Sequence, residues 1–142
     1  MKRLRGKKRL SEQGRIELAP AVDIRRGDIF WICCDPLIGA EPRKTRTCVV
    51  VSNDVANQYG RAITVVPTQE FTSERAARGY MVDLRRPRST LEAPRVANAS
   101  MIMTYDRARV TSRAGRVAPD TLRGIERALC LHLGIAPAQE RT

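Results

Sequence analysis

The chain is poor in aromatic residues. Phe, Trp and Tyr together make up 4% of 142 residues, with one Trp and two Phe. A platform that binds nucleic acid strands by stacking many bases, without cutting them, needs more rings than that. Histidine is scarcer, with His132 alone. Cys33, Cys34, Cys48 and Cys130 form no C-x-x-C pair, so zinc-ribbon and dithiol redox motifs are unsupported and no metal or other cofactor is expected. The four read as reduced thiols, mostly small core residues. No run of about 18 apolar residues occurs, the length a membrane-spanning helix needs. The opening MKRLRGKKRL carries six cations, but no apolar stretch of about 7–15 residues follows, as a secretory leader requires. A cytoplasmic protein is expected.

What the chain has in excess is positive charge. The net charge is +11 and the pI about 10.5, which draws polyanions. Arg outnumbers Lys by 22 to 4. The guanidinium forks onto phosphate and stacks on bases, whereas Lys acts as a point charge. A GC-rich coding sequence accounts for that bias equally well, but not for the net charge. Hydrophobic residues make up 42%, enough for one compact core in a chain of this length.

Residues 1–22 hold seven cations and two acids without a convincing period. They read as a basic arm, flexible or partly helical. The folded domain is expected over 23–136, with a short tail at 137–142. Ile29–Cys34 is rich in aromatic and β-branched residues and reads as a strand ended by Asp35 and Pro36. Further strands are expected at Thr47–Val51, Arg61–Pro67, Tyr80–Leu84 and Ser100–Tyr105, with a short sixth at Arg109–Ser112. Ser52 is expected to cap a helical turn through Asn57. The Pro- and Arg-rich stretch Arg85–Ala97 reads as loop. Leu122, Ile125, Leu129 and Leu133 recur at helical spacing after Pro119, and Gly134 is a stop. Short strands followed by one helix predict a mainly β fold with α: a small, strongly bent antiparallel barrel with a C-terminal helix packed on it.

Five segments then carry a resemblance. They are Arg26-Gly27-Asp28-Ile29-Phe30-Trp31, then Asp35-Pro36 with Gly39 and Glu41, and Lys44-Thr45-Arg46 running into Val49-Val50-Val51-Ser52-Asn53-Asp54. Val65-Val66-Pro67-Thr68 and Arg116-Val117-Ala118-Pro119-Asp120-Thr121-Leu122 complete the series. In this order and spacing, over about residues 24–135, the chain resembles the MazF/PemK toxins of bacterial toxin–antitoxin systems. The resemblance implies an SH3-like barrel of the kind shared with the CcdB gyrase poisons. It implies a homodimer that binds single-stranded RNA and a cognate antitoxin. It also implies metal-independent, sequence-specific mRNA cleavage by 2′-OH attack, leaving a 2′,3′-cyclic phosphate and a 5′-OH.

Such cleavage needs an aligned 2′-OH, charge stabilisation on the phosphoryl oxygens and two proton transfers. Arg46 matches the family's catalytic Arg. Its pKa above about 12 suits electrostatic stabilisation or donation to the leaving oxygen better than base catalysis. Thr68 matches the catalytic Thr, its hydroxyl donating to the phosphate. One residue is missing just before it relative to many relatives, so Gln69 shares the place. Glu41 matches an acid that orients Arg46 or its loop. Arg43 and Lys44 are expected on backbone phosphates. Thr104-Tyr105-Asp106-Arg107-Ala108-Arg109 can be laid on a family segment with Asp106 handling the 2′-OH proton and Arg109 on RNA. A count from Ser100 shifts the register by one and puts Tyr105 in the acidic place. Thr104 and Ala40 stand where some relatives carry Arg and His. Thr47 replaces a Pro, with an effect expected on backbone rigidity only. Of Phe30 and Trp31, one is expected in the core and the other at a dimer interface or a base. Specificity is expected in Gln69–Gly79 and Arg85–Ala97. The alternative is a noncatalytic barrel that inhibits a target such as DNA gyrase or simply binds RNA. The lack of any Trp in Gly134–Thr142 counts against the gyrase reading.

Overall fold

The computed structural model describes residues 8–10, 16–18, 22–34 and 44–136. Lys8–Leu10 (β1) and Ile16–Leu18 (β2) pair antiparallel as a ribbon separate from the main sheet. Among its described residues the basic arm holds strand and no helix.

The main sheet comprises Asp28–Cys33 (β3), Thr45–Val50 (β4), Ala62–Glu70 (β5), Met81–Asp83 (β6), Arg95–Asn98 (β7), Met103–Asp106 (β8) and Val110–Arg116 (β9). Its order is β6-β7-β5-β4-β3-β9, with β8 also on β5. Every pairing is antiparallel. The long strand β5 belongs to two walls. Its first half pairs with β8 and β4, and Thr68–Glu70 then leave to pair with β7. Register shifts in β3 against β9 add local twist. The sheet therefore curls into a barrel that does not close, and an isolated bridge between Ser89 and Val117 ties its flank.

Side-chain alternation along these strands splits the apolar residues into two cores. Ile29, Val49, Val66, Leu84, Leu91 and Ile125 form one, beneath the C-terminal helix. Phe30, Ile32, Cys48, Val50, Ile63 and Val65 form the other. The helix Pro119–Leu133 (α3) buries Ile125 and Ala128, while Leu122 and Leu129 pack at the edge of the first core. Leu133, expected on the packing face, is 51% exposed. Gly134 ends the helix at φ 68°, and the Ile135 N–H bonds the Cys130 carbonyl at 2.9 Å, a left-handed stop that glycine adopts without cost.

Three local expectations change. Asn53, rather than Ser52, caps Asp54–Tyr59 (α1) by accepting the Ala56 N–H at 2.8 Å. Ser52 instead donates to the Asn57 side chain at 2.5 Å and accepts the Thr64 N–H. Arg95–Asn98 is a strand that takes up the end of the stretch expected as loop. Ser100–Tyr105 is not one strand: Ala99–Met101 is a 3-10 turn and β8 begins at Met103. A short helix, Ser73–Ala76 (α2), and a 3-10 turn, Arg107–Arg109, complete the described elements.

Candidate active site

Strand register assembles the site from β3, β4, β5 and β7. Trp31 opposes Thr47 on β4, and Cys48 opposes Pro67 on β5. One rung beyond Pro67, the Thr47 and Thr68 hydroxyl oxygens lie 2.5 Å apart. Both residues are buried, Thr68 to 1% exposure. Arg95 closes the row from β7. Its Nε donates to Thr68 Oγ1 at 3.0 Å and its Nη2 to the Thr68 carbonyl at 2.9 Å. Thr68 thus holds the guanidinium through two oxygens, and Thr47 bonds the same Thr68 hydroxyl. The residue standing where the family has Pro supplies a hydrogen-bond partner, a larger role than backbone rigidity.

Arg46 opposes Ile32 one residue before Thr47 and is half-buried. Its charge is felt by Arg95, Cys48 and Tyr105. Burial lowers the pKa of the Arg95 guanidinium, with Glu70 opposing and Arg46 and Arg75 adding to the effect. Two guanidinium groups whose charges oppose each other gain from an anion that neutralises both. Arg46 and Arg95 line a cleft of about 510 Å³, together with Trp31, Arg86, Leu91 and Glu92. Its outer wall is part of the segment joining β6 to β7. Thr90 fastens that segment to β9, its N–H on the Arg116 carbonyl at 3.0 Å and its Oγ1 accepting the Arg116 N–H at 2.9 Å.

The other expected residues distribute unevenly. Lys44 is exposed beside Arg46, and its carbonyl accepts the Cys34 N–H at 3.1 Å. Gln69 accepts from Asn98 Nδ2 at 3.0 Å. Arg109 donates to the Cys33 carbonyl at 3.1 Å, and its guanidinium lies 6.0 Å from the Tyr105 ring centroid. Tyr105 packs against the second core. Burial and a Cys34 contact push its phenol up to about 12, against the pull of Arg46. Burial also pushes the Cys48 thiol up.

Asp106 is not brought to Arg46 and Thr68. It opposes Ala62, six residues along β5 from Thr68, about 20 Å of extended strand. Its carboxylate caps the following 3-10 turn by accepting the Ala108 N–H at 2.8 Å. Glu41 and Arg43 lie outside the described residues. Among the described residues no three His, Cys, Asp or Glu side chains group as metal ligands.

Arg95 escapes sequence reasoning because it sits between Pro94 and Val96 in a Pro- and Arg-rich run. Only the Arg-Val-Ala-Asn alternation hinted at a short strand.

Residues 25–133 match the family model described as PemK-like, MazF-like toxin of type II toxin-antitoxin system. The chain belongs to this family. It is 34% identical over 117 residues to endoribonuclease MazF9 of Mycobacterium tuberculosis, an alignment covering 79% of this chain and 98% of that protein. Its fold is that of a MazE–MazF crystal structure from Deinococcus radiodurans, with a TM-score of 0.68 at 20% identity over 81% of this chain and 99% of that one. A mycobacterial endoribonuclease in complex with its cognate antitoxin superposes with a TM-score of 0.62 at 20% identity, covering 81% and 97% of the two chains. The expected SH3-like toxin barrel with a C-terminal helix is therefore the fold of this family member.

Proposed function

We propose that this chain is an endoribonuclease toxin that cuts single-stranded mRNA at a specific sequence without a metal, and that a cognate antitoxin restrains it. Family membership and the likeness to MazF9 support the activity class. The observation that carries the chemistry is Arg95, locked on Thr68 beside Arg46.

In this scheme the scissile phosphate binds Arg46 and Arg95. The substrate's 2′-oxygen attacks phosphorus and gives up its proton. The bond to the 5′-oxygen breaks and that oxygen takes up a proton, leaving a 2′,3′-cyclic phosphate and a 5′-OH. The two guanidinium groups stabilise the charge that develops on the phosphoryl oxygens. Thr68 acts through Arg95 as a positioning residue, since its hydroxyl is buried and already bonded. Lys44 and Arg43 follow the RNA backbone, Glu41 orients the loop before Arg46, and Gln69 and Arg109 border the path. The working unit is a cytoplasmic homodimer.

The test is to incubate the purified chain with a long single-stranded RNA in EDTA, beside Arg46→Ala, and to map the cut ends. Discrete cuts with cyclic-phosphate ends, lost in the variant, support the reading. An RNA left intact by folded wild-type protein overturns it.

A further inference from the structure

Resting on that reading, we propose that the cleft beside the two arginines is a nucleotide subsite in which Trp31 stacks on the RNA base adjoining the bound phosphate. Alternation on β3 separates the two neighbouring rings. Phe30 is fully buried, whereas Trp31 is 42% exposed and lines the cleft. An indole left open beside three arginines, Arg46, Arg86 and Arg95, with Glu92 as the one carboxylate among the described lining residues, suits a ligand with a flat ring and an anionic group. The volume, about 510 Å³, falls within the range of about 300–1,000 Å³ typical of small-ligand sites.

The spacing fits as well. Trp31 opposes Thr47, and Thr47 meets Thr68, which holds Arg95. Trp31 and Thr68, the residue that holds Arg95, are therefore two strand spacings apart, about 10 Å, on the scale of one nucleotide from phosphate to base. Both walls are fixed. Trp31 lies in the β3 ladder, where its carbonyl also accepts from Thr111 Oγ1 at 3.0 Å. The opposite wall is pinned through Thr90, whose carbonyl also accepts from Arg86 Nη2 at 3.1 Å. A single ring makes one subsite, consistent with the scarcity of aromatic residues elsewhere.

Trp31 is the only tryptophan, so tryptophan fluorescence, excited selectively over tyrosine, reports on this position alone. The full chain is titrated with a 2′-O-methyl RNA oligonucleotide, which cannot be cut, then with an abasic oligonucleotide of equal phosphate count and with poly-glutamate. Stacking predicts quenching by the RNA and little by the other two. Trp31→Ala should weaken binding of the 2′-O-methyl RNA about tenfold, the usual contribution of one stacked base, while Trp31→Phe keeps most of the affinity. No quenching at saturating RNA, or equal quenching by the abasic strand or poly-glutamate, overturns the proposal. So does a change in sedimentation that accompanies the quenching, because the ring would then be reporting on assembly. The two readings fail separately. Cleavage without base-dependent quenching removes the stacking subsite and leaves the nuclease. Base-dependent quenching with no cleavage of natural RNA keeps the subsite and removes the nuclease.

Discussion

Thr47 and Thr68 share a hydrogen bond of 2.5 Å between hydroxyl oxygens buried across β4 and β5, and Arg95 Nε donates to the same Thr68 oxygen at 3.0 Å. Such an arrangement is costly to half-dismantle. Thr68→Val leaves the Thr47 hydroxyl and the Arg95 Nε–H without their partner, and should destabilise the fold by about 1–3 kcal/mol. Adding Thr47→Val removes one of the stranded groups, so the double variant should lose less than the sum of the single losses. Chemical denaturation of the four proteins measures the coupling, and additive losses would contradict it.

The two arginines should differ in how they fail. Arg46→Ala should lower the rate of RNA cleavage about 100–1,000-fold with the melting temperature little changed, as expected when a charge-stabilising donor is removed. Arg95→Lys keeps the charge but cannot bond both Thr68 oxygens in one fork. It should also lose most cleavage, though RNA binding stays near wild type. Gel-shift and cleavage assays on the same variants check this, and full activity of Arg95→Lys would remove Arg95 from the site.

Asp106 should behave as a cap. Asp106→Asn retains an acceptor for the Ala108 N–H and should leave cleavage within about twofold, whereas Asp106→Ala should cost about 1 kcal/mol of stability. A large rate loss in Asp106→Asn with no change in stability would return the residue to proton transfer.

Tyr105 sets an alkaline limit. Its phenol rises from 10.0 to about 12 in the fold, chiefly through burial. The folded state therefore holds this proton more tightly than the unfolded chain. The associated stability is complete below pH 10 and is lost as pH climbs toward 12. Tyr105→Phe cannot ionise there, so its melting temperature should fall less steeply than that of wild type over this window. Parallel slopes would contradict the assignment.

Asp28 should be a costly anchor to remove. It is fully buried and pairs with Arg113 at 2.9 Å and Arg116 at 2.8 Å, joining β3 to β9. Asp28→Ala should destabilise the barrel by about 3 kcal/mol, measured by thermal or denaturant unfolding.

Much of this structure is legible in the sequence where pattern and backbone demand coincide. The β3 run Ile29-Phe30-Trp31-Ile32 reads as strand from its aromatic and β-branched residues, and α3 announces itself through Pro119, its leucine spacing and Gly134. The strand β7 is hidden because four residues at the end of a Pro- and Arg-rich run carry too little periodicity, and it is pairing with β5 and β6 that makes them strand. The site divides in the same way. Arg46 and Thr68 are readable as motif positions. The Thr68–Arg95 bond spans 27 residues, and the Thr47 hydroxyl acquires meaning only when its partner across the sheet is known. Asp106 shows the opposite limit: a local match to a family segment fixed neither its register nor which residues it would meet.

Because β5 serves two walls of the barrel, the groups proposed to hold phosphate and the surface proposed to border the base have different origins. Arg46 and Arg95 project from strands that both pair with β5, while Arg86 and Glu92 belong to the connecting segment between β6 and β7. A change of length or composition in that segment alters what the cleft accepts without moving the strands that carry the arginines. One scaffold of this kind can acquire new target sequences while its cutting chemistry stays the same, so divergence in recognition need not pass through an inactive ancestor.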